Sequence, residues 1–175
     1  MQRVVLVRHN SYLFKGTVEE NLKMAKTDAT KEEMEAVLQK VNLLGFLQTQ
    51  DGLQTQLLEK ASNLSGGQCQ RLVIARALLR TDSAVYIFDE AASNIDVESE
   101  ELIMNVIHEL AKTKTVLLIS HRLANVVKSD KIYFLKDGEI KESGKHDELM
   151  SQNGAYRHLY ESQMALENYG KGGMA

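Results

Sequence analysis

The sequence reads Leu-Ser-Gly-Gly-Gln at positions 64–68, directly before an apolar helical run at 72–79. The spacing of Ser65 and Gln68 is that of a capping box, which predicts that Ser65 is the N-cap residue of this helix. Two glycines in a first helical turn cost roughly 1 kcal/mol each relative to alanine. They leave bare backbone N–H groups at the positive end of the helix dipole, which indicates an anion site suited to phosphate. Taken alone, the stretch also fits a simple glycine-containing turn before a core helix.

A predicted strand downstream of this helix ends in two acidic residues. Residues 84–88 are apolar and predict a buried strand, and Asp89 and Glu90 follow at once. In open α/β sheets ligands bind at the carboxyl ends of the strands, and this arrangement is the Walker B pattern. Asp89 can hold Mg²⁺ through water, and Glu90 can orient and deprotonate an attacking water. Each carboxylate, considered by itself, could equally cap the following loop.

A second buried strand is predicted at 115–119, and Ser120, His121 and Arg122 follow it. A lone histidine is more often structural or solvated than catalytic. A histidine at the end of a parallel-type strand, at the same sheet edge as Asp89 and Glu90, is a candidate ligand of a γ-phosphate.

Composition and charge exclude several classes of protein. The 175 residues include one cysteine and no proline, which excludes an internal disulfide framework, a multi-cysteine zinc site and proline-rich or collagen-like chains. The 21 basic and 24 acidic residues give a net charge of −3, which argues against a domain that mainly neutralises nucleic-acid phosphates. No apolar run approaches the ~18 residues that span a bilayer.

The remaining elements alternate in type, which predicts an α/β fold with a helical insertion. Thr17 and Thr30 are each followed three residues later by glutamate, so both predict capping boxes, and residues 17–80 are predicted to be mostly helical. Asp137-Gly138 is a strong hairpin signal. The other predicted elements are a buried strand at 4–7, a helix at 96–110, a short helix at 122–127, strands at 131–135 and 139–141, and helices from about 147 and 155.

The order of four segments resembles that of the nucleotide-binding domain of an ABC transporter. Residues 64–68, 87–90, 93–96 and 120–122 correspond to its signature motif, Walker B motif, D-loop and switch histidine, and the resemblance covers nearly the whole chain. The resemblance implies a P-loop NTPase-like (RecA-like) parallel sheet core with a helical subdomain that carries the signature motif. The implied regions are 1–16 with a sheet strand and the Q-loop, 17–80 with the helical subdomain, and 81–175 with Walker B, D-loop, switch histidine and C-terminal part.

The resemblance also implies the subtype and its partners. Residues 13–21, 137–140 and 144–149 are similar to segments of exporters. Two such domains would bind head to tail, and transmembrane domains would contact the chain near Tyr12 to Thr17 and Glu59. The chain would then act at the cytoplasmic face of a membrane, with ATP and Mg²⁺ and without nucleic acid.

Roles for individual residues follow from the same resemblance. Asp89 would hold Mg²⁺, Glu90 would be the general base, and His121 would stabilise charge on the transferring phosphoryl group. The remaining residues would contact nucleotide, those of the signature motif across the dimer: His9, Ser65, Gly66, Gly67, Gln68 and Asp96.

The resemblance breaks at several places, of which the absent P-loop is the largest. No G-x-x-x-x-G-K-S/T stretch occurs in the sequence, so we expect a chain that lacks roughly the first quarter to third of the domain and binds ATP weakly or not at all. His9 stands where the family carries the Q-loop glutamine. Leu58 and Ala61 stand where exporters usually carry glycines.

Two alternatives compete with an exporter ATPase. A natural short chain without catalysis could offer its signature helix to the ATP of a partner. The second alternative is a chromosome-maintenance or DNA-repair ATPase of the same superfamily. The exporter-like segments and the absence of long heptad arms argue against this alternative.

Overall fold

Three parallel strands form the sheet on which the first part of the chain is built. The computed structural model describes residues 4–172, and residues 1–3 and 173–175 of the first and last predicted regions lie outside the described residues. The described chain divides into two compact units, one ending at Ile119 and the other beginning at Ser120. The elements of the first unit are β1 (Val4–Arg8), β2 (Gly16–Thr17), α1 (Val18–Lys23), α2 (Lys31–Lys40), α3 (Leu44–Gln48), β3 (Gln56–Leu57), α4 (Gly66–Leu78), β4 (Val85–Asp89), α5 (Val97–Ala111) and β5 (Thr115–Ile119).

The sheet has the order β1-β4-β5, and both strand pairs are parallel. One of its faces packs against α4 and α5, which bury Val7, Tyr86 and Phe88. On the other face, Val4 and Leu6 keep 48% and 47% of their surface accessible to solvent. The predicted strands at 4–7 and 84–88 are therefore present, but within the described residues they are buried on one face only. An apolar run indicates a strand, but it does not show how many of its faces are covered.

The three capping boxes predicted in the first unit are confirmed. Thr17, Thr30 and Ser65 each accept a hydrogen bond from a backbone N–H three residues later, and each box is closed by the side chain of that later residue. The helices pack on one another through buried apolar side chains, among them Leu22, Met34, Leu38, Leu47, Leu72 and Ile74. The insertion also contains a two-stranded antiparallel pair, β2 with β3, which sequence patterns did not predict.

The second unit contains the predicted hairpin and two α-helices, and a one-turn 3₁₀ helix at Leu123–Val126 lies where the short helix at 122–127 was predicted. Its elements are β6 (Ile132–Lys136), β7 (Glu139–Gly144), α6 (His146–Ser151) and α7 (Ala155–Gly172). Asp137 and Gly138 both have positive φ, +54° and +77°, as a two-residue type I′ turn requires. Glu142 on β7 accepts a hydrogen bond from the Ala155 N–H at 2.5 Å, so a carboxylate distant in sequence caps the first turn of α7.

Ser83, just before β4, carries a buried hydroxyl group without a hydrogen-bond partner among residues 4–172. An unsatisfied buried polar group costs about 1–3 kcal/mol. We expect Ser83→Ala to raise the free energy of unfolding by about 1 kcal/mol, measured by urea denaturation of the 175-residue chain. Ser65→Ala, which removes an N-cap oxygen, is the matched serine control and is expected to lower it by about 1 kcal/mol. A loss of stability in Ser83→Ala would contradict this prediction.

Candidate functional site

The carboxyl edge of the sheet brings three predicted site residues together. Arg8 and Asp89 are register partners at the ends of β1 and β4. The next residue of each strand continues the ladder. The N–H of His9 donates to the carbonyl oxygen of Asp89 at 3.3 Å, and the N–H of Glu90 donates to that of Ile119 at 3.0 Å. The backbone therefore holds His9, Asp89 and Glu90 at one edge.

Glu90 has an unusual backbone conformation, with a φ of +50°. Its carbonyl oxygen accepts hydrogen bonds from Ser93, at 3.0 Å from the backbone N–H and 2.8 Å from the hydroxyl group. A non-glycine residue in the left-handed region costs about 1 kcal/mol or more, and such residues cluster at functional sites. The turn closed by Ser93 maintains this conformation, so Glu90 is held by its backbone.

The capping box at the start of α4 engages the side chains of Ser65 and Gln68 within the chain. The Ser65 hydroxyl accepts from the Gln68 N–H at 3.2 Å, and the Gln68 side-chain oxygen accepts from the Ser65 N–H at 2.9 Å. The box fixes the direction of the first helical turn, and with it the direction of the backbone N–H groups there.

The two glycines of this turn have different surroundings. Gly66 is exposed, and a side chain there would meet only Ile95, at 4.0 Å. Gly67 is buried, and a Cβ atom there would lie 2.8 Å from the Cβ of Ser99 and 2.9 Å from a carboxylate oxygen of Asp96. The sequence argument explained both glycines by the approach of an anion. At Gly66 the backbone is open and the approach of an anion stays a prediction, whereas the absence of a side chain at Gly67 is required by the close approach of α5.

Asp96 is the N-cap residue of α5 and accepts a hydrogen bond from the Ser99 N–H at 2.8 Å. The helix was predicted to begin at residue 96 and begins one residue later, at Val97. Hydrogen bonds from Ser99 are the main reason why the pKa of Asp96 lies below its ordinary value. The carboxylate is therefore charged at neutral pH. The Asp96 carboxylate therefore lies beside Gly67 and caps α5. Its contact with nucleotide remains a prediction.

Two side chains of α4 that sequence analysis missed connect it to the end of β1 and to the segment that follows. The buried Gln70 amide donates to the carbonyl oxygen of Arg8 at 3.3 Å. Arg76 donates to the carbonyl oxygen of Tyr12 at 2.9 Å. Gln70 precedes the apolar run at 72–79, so no pattern in the sequence singled it out, and its partner lies 62 positions away.

The segment predicted to contact transmembrane domains is held by a buried asparagine. The Asn21 side chain accepts from the Phe14 N–H at 2.8 Å and donates to the carbonyl oxygens of Phe14 at 2.9 Å and of Thr17 at 3.0 Å. The rings of Tyr12 and Phe14 are exposed and meet edge to face at 4.8 Å. A fixed backbone thus presents an aromatic pair to solvent.

Glu59, the other predicted contact, precedes two left-handed residues. Lys60 and Ala61 have φ values of +57° and +53°. Ala61 is one of the positions predicted to depart from a glycine, and its positive φ is a conformation that favours glycine.

His121 belongs to the second unit. Gln163 on α7 donates to the carbonyl oxygen of His121 at 2.8 Å and accepts from the Leu123 N–H at 2.9 Å, so one glutamine fixes the backbone on both sides of Arg122. The role of His121 toward a phosphate stays a prediction.

The donor set at the sheet edge fits a cation such as Mg²⁺. The Asp89 side chain is 40% exposed, and its Oδ2 atom already faces a cation, the Arg8 guanidinium, at 3.8 Å. The described residues contain no group of three or more metal-binding side chains. A cation here would need its other ligands from water and phosphate, which is the coordination that Mg²⁺ prefers.

Comparisons with known proteins agree on one family. A family profile described as "ABC transporter" matches residues 1–93. An uncharacterized ABC transporter ATP-binding protein of Haemophilus influenzae is 53% identical over 95% of this chain and 30% of its own length. An ATP-dependent lipid A-core flippase of Vibrio vulnificus is 42% identical over 90% of this chain and 27% of its own length.

A solved structure shows the same fold. A bacterial Atm1-family ABC exporter with ATP bound superposes with a TM-score of 0.84 at 30% identity, over 92% of this chain and 28% of that one. The chain belongs to the ABC transporter family. The predicted α/β class with a parallel sheet and helices is confirmed.

The chain spans about a third or less of the length of these relatives. Within the described residues, no helix combines the length and the apolar character that crossing a membrane requires.

Proposed function

We propose that this chain is part of the ATPase domain of an ABC exporter, which couples ATP binding and hydrolysis to transport across a membrane. The observation that carries the proposal is the pair Asp89 and Glu90 at the carboxyl end of β4, with Glu90 held in a left-handed conformation. The open backbone at Gly66 supports a second phosphate-binding element. The similarity to a lipid A-core flippase and to an Atm1-family ABC exporter supports the exporter subtype.

In this proposal each site residue has a defined task. Asp89 holds the metal, which when bound neutralises phosphate charge. Glu90 orients the attacking water and accepts its proton, which is worth about 10²–10⁴ in rate. His121 donates a hydrogen bond to the transferring phosphoryl group. The backbone of His9 lies at the same edge, and its side chain is proposed to contact the nucleotide or its metal.

The signature motif acts across a dimer in this proposal. Ser65 and the backbone of Gly66 to Gln68 close over the γ-phosphate bound by a second ATPase domain, while Asp96 lines the same contact. Closure of the dimer would assemble the complete site and move transmembrane domains that contact Tyr12 to Thr17 and Glu59. The proposal assigns the three regions 1–16, 17–80 and 81–175 the roles predicted from the sequence, at the cytoplasmic face of the membrane.

Two measurements test this function. Calorimetry of the 175-residue chain with Mg·ATP is expected to show weak binding or none, because the sequence contains no P-loop lysine or P-loop amides. A fusion that places a P-loop segment of a relative before residue 1 is expected to hydrolyse ATP only with Mg²⁺. Asp89→Asn in the fusion should lose hydrolysis, whereas Asp82→Asn, an exposed aspartate before β4, should keep it.

The outcomes separate the competing functions. A low-micromolar dissociation constant for the unfused chain would overturn the expectation of weak binding. A fusion that binds Mg·ATP without hydrolysing it, and that enhances hydrolysis by a partner ATPase domain, would favour a non-catalytic chain that supplies a signature half-site.

A further inference from the structure

Arg8 is placed beside the metal-binding carboxylate by the register of the sheet. It is the last residue of β1 and the register partner of Asp89, the last residue of β4. Register partners on parallel strands project from the same face. The Nε atom of Arg8 lies 3.8 Å from Oδ2 of Asp89, with the two side chains 60% and 40% exposed.

This face of the sheet has no other charged side chain on its three strands. The alternation of side chains places the following residues on it: Val4, Leu6, Arg8, Val85, Ile87, Asp89, Thr115, Leu117 and Ile119. Asp89 has Arg8 as its neighbour on one side and Ile119 on the other. The guanidinium group is therefore the cation that the strands themselves supply to this carboxylate.

A guanidinium group at this distance opposes a divalent ion at Asp89 in two ways. It occupies one side of the carboxylate, and its positive charge repels a second cation. Both side chains are partly in water, so the opposition is modest and depends on salt.

From this geometry, and resting on the proposed function, we propose that Arg8 is a positioning residue that competes with the divalent metal for Asp89. The pair keeps the carboxylate oriented and neutralised when no metal is present. Loading of the metal separates the pair, so the charge at residue 8 sets the metal affinity of the site.

The experiment uses Mn²⁺ alone as the probe, on the 175-residue chain at low ionic strength. Paramagnetic broadening of the amide signals of His9 and Glu90, which flank the pair, reports an apparent Kd. We expect Arg8→Gln to lower this Kd about two- to five-fold, the range of an exposed ion pair. Arg8→Lys keeps the charge and should stay near wild type, and Lys40→Gln, an exposed lysine on α2, controls for net charge.

Salt and a ligand variant separate the possible failures. The gain in Arg8→Gln should shrink at high salt, where exposed charges are screened. If Arg8→Gln matches wild type while Asp89→Asn abolishes the broadening, the inference about Arg8 is overturned and the metal assignment stands. If Asp89→Asn leaves the broadening unchanged, the metal assignment fails, and the inference fails with it.

Discussion

Glu90→Gln in the P-loop fusion is expected to lower the rate of ATP hydrolysis by about 10²–10⁴-fold, the contribution of a general base. Glutamine has nearly the same shape and can still orient a water molecule, but its amide cannot accept the proton. ATP binding does not need that proton transfer, so nucleotide affinity should be retained. Phosphate release in single-turnover conditions measures the rate, and calorimetry measures the affinity.

The control for this variant is Glu101→Gln, the same change at an exposed position of α5. It should hydrolyse ATP at the rate of the unmodified fusion. Sedimentation of both variants with ATP tests the second half of the prediction, because the Glu90 variant should accumulate as a nucleotide-bound dimer. Turnover at the unmodified rate in Glu90→Gln would exclude Glu90 as the base, and loss of ATP binding would point to a structural role.

Gly67→Ala is expected to lower the free energy of unfolding by about 1–2 kcal/mol, whereas Gly66→Ala should change it by less than about 0.5 kcal/mol. At residue 67 the new Cβ would meet the side chain of Ser99 and come within 2.9 Å of Asp96. Overpacking of this kind typically costs 1–3 kcal/mol. The higher helix propensity of alanine, worth up to about 1 kcal/mol inside a helix, reduces the net loss.

The adjacent glycines serve as controls for each other, because both changes add one methyl group to the same helical turn. Urea denaturation of the 175-residue chain measures the difference directly. In the fusion, Gly66→Ala is expected to affect hydrolysis and not stability. The added methyl group would obstruct the exposed backbone at residue 66, so hydrolysis should fall at nearly unchanged stability. Equal stability losses for the two variants would contradict the assigned packing of Gly67 against α5.

Most of the local structure was predictable, because its causes lie within a few residues. The boxes at Thr17, Thr30 and Ser65 are confirmed since each depends on a pair three residues apart. The hairpin at Asp137 follows from the positive φ that its turn type requires. Polar residues after apolar strands were sufficient to predict the edge that carries Asp89 and Glu90.

The contacts of Asn21 and Gln70 were not predictable. Each is a buried amide whose partners are set by folding, and Gln70 reaches a carbonyl group 62 positions away. A sequence pattern reports that a polar residue interrupts an apolar face, but it does not identify the group that satisfies it.

The chain's own residues therefore define its elements, its motifs and the ends of its strands, because capping, turn chemistry and apolar periodicity act over a few positions. Tertiary structure alone assigned the remaining features. It showed that one sheet face is exposed and that Arg8 faces Asp89. It also showed that Ser99 leaves no room for a side chain at residue 67, whereas residue 66 has open space. Each of these features depends on strand register or helix packing between segments that are distant in the sequence. Local sequence patterns do not determine which distant segments come into contact.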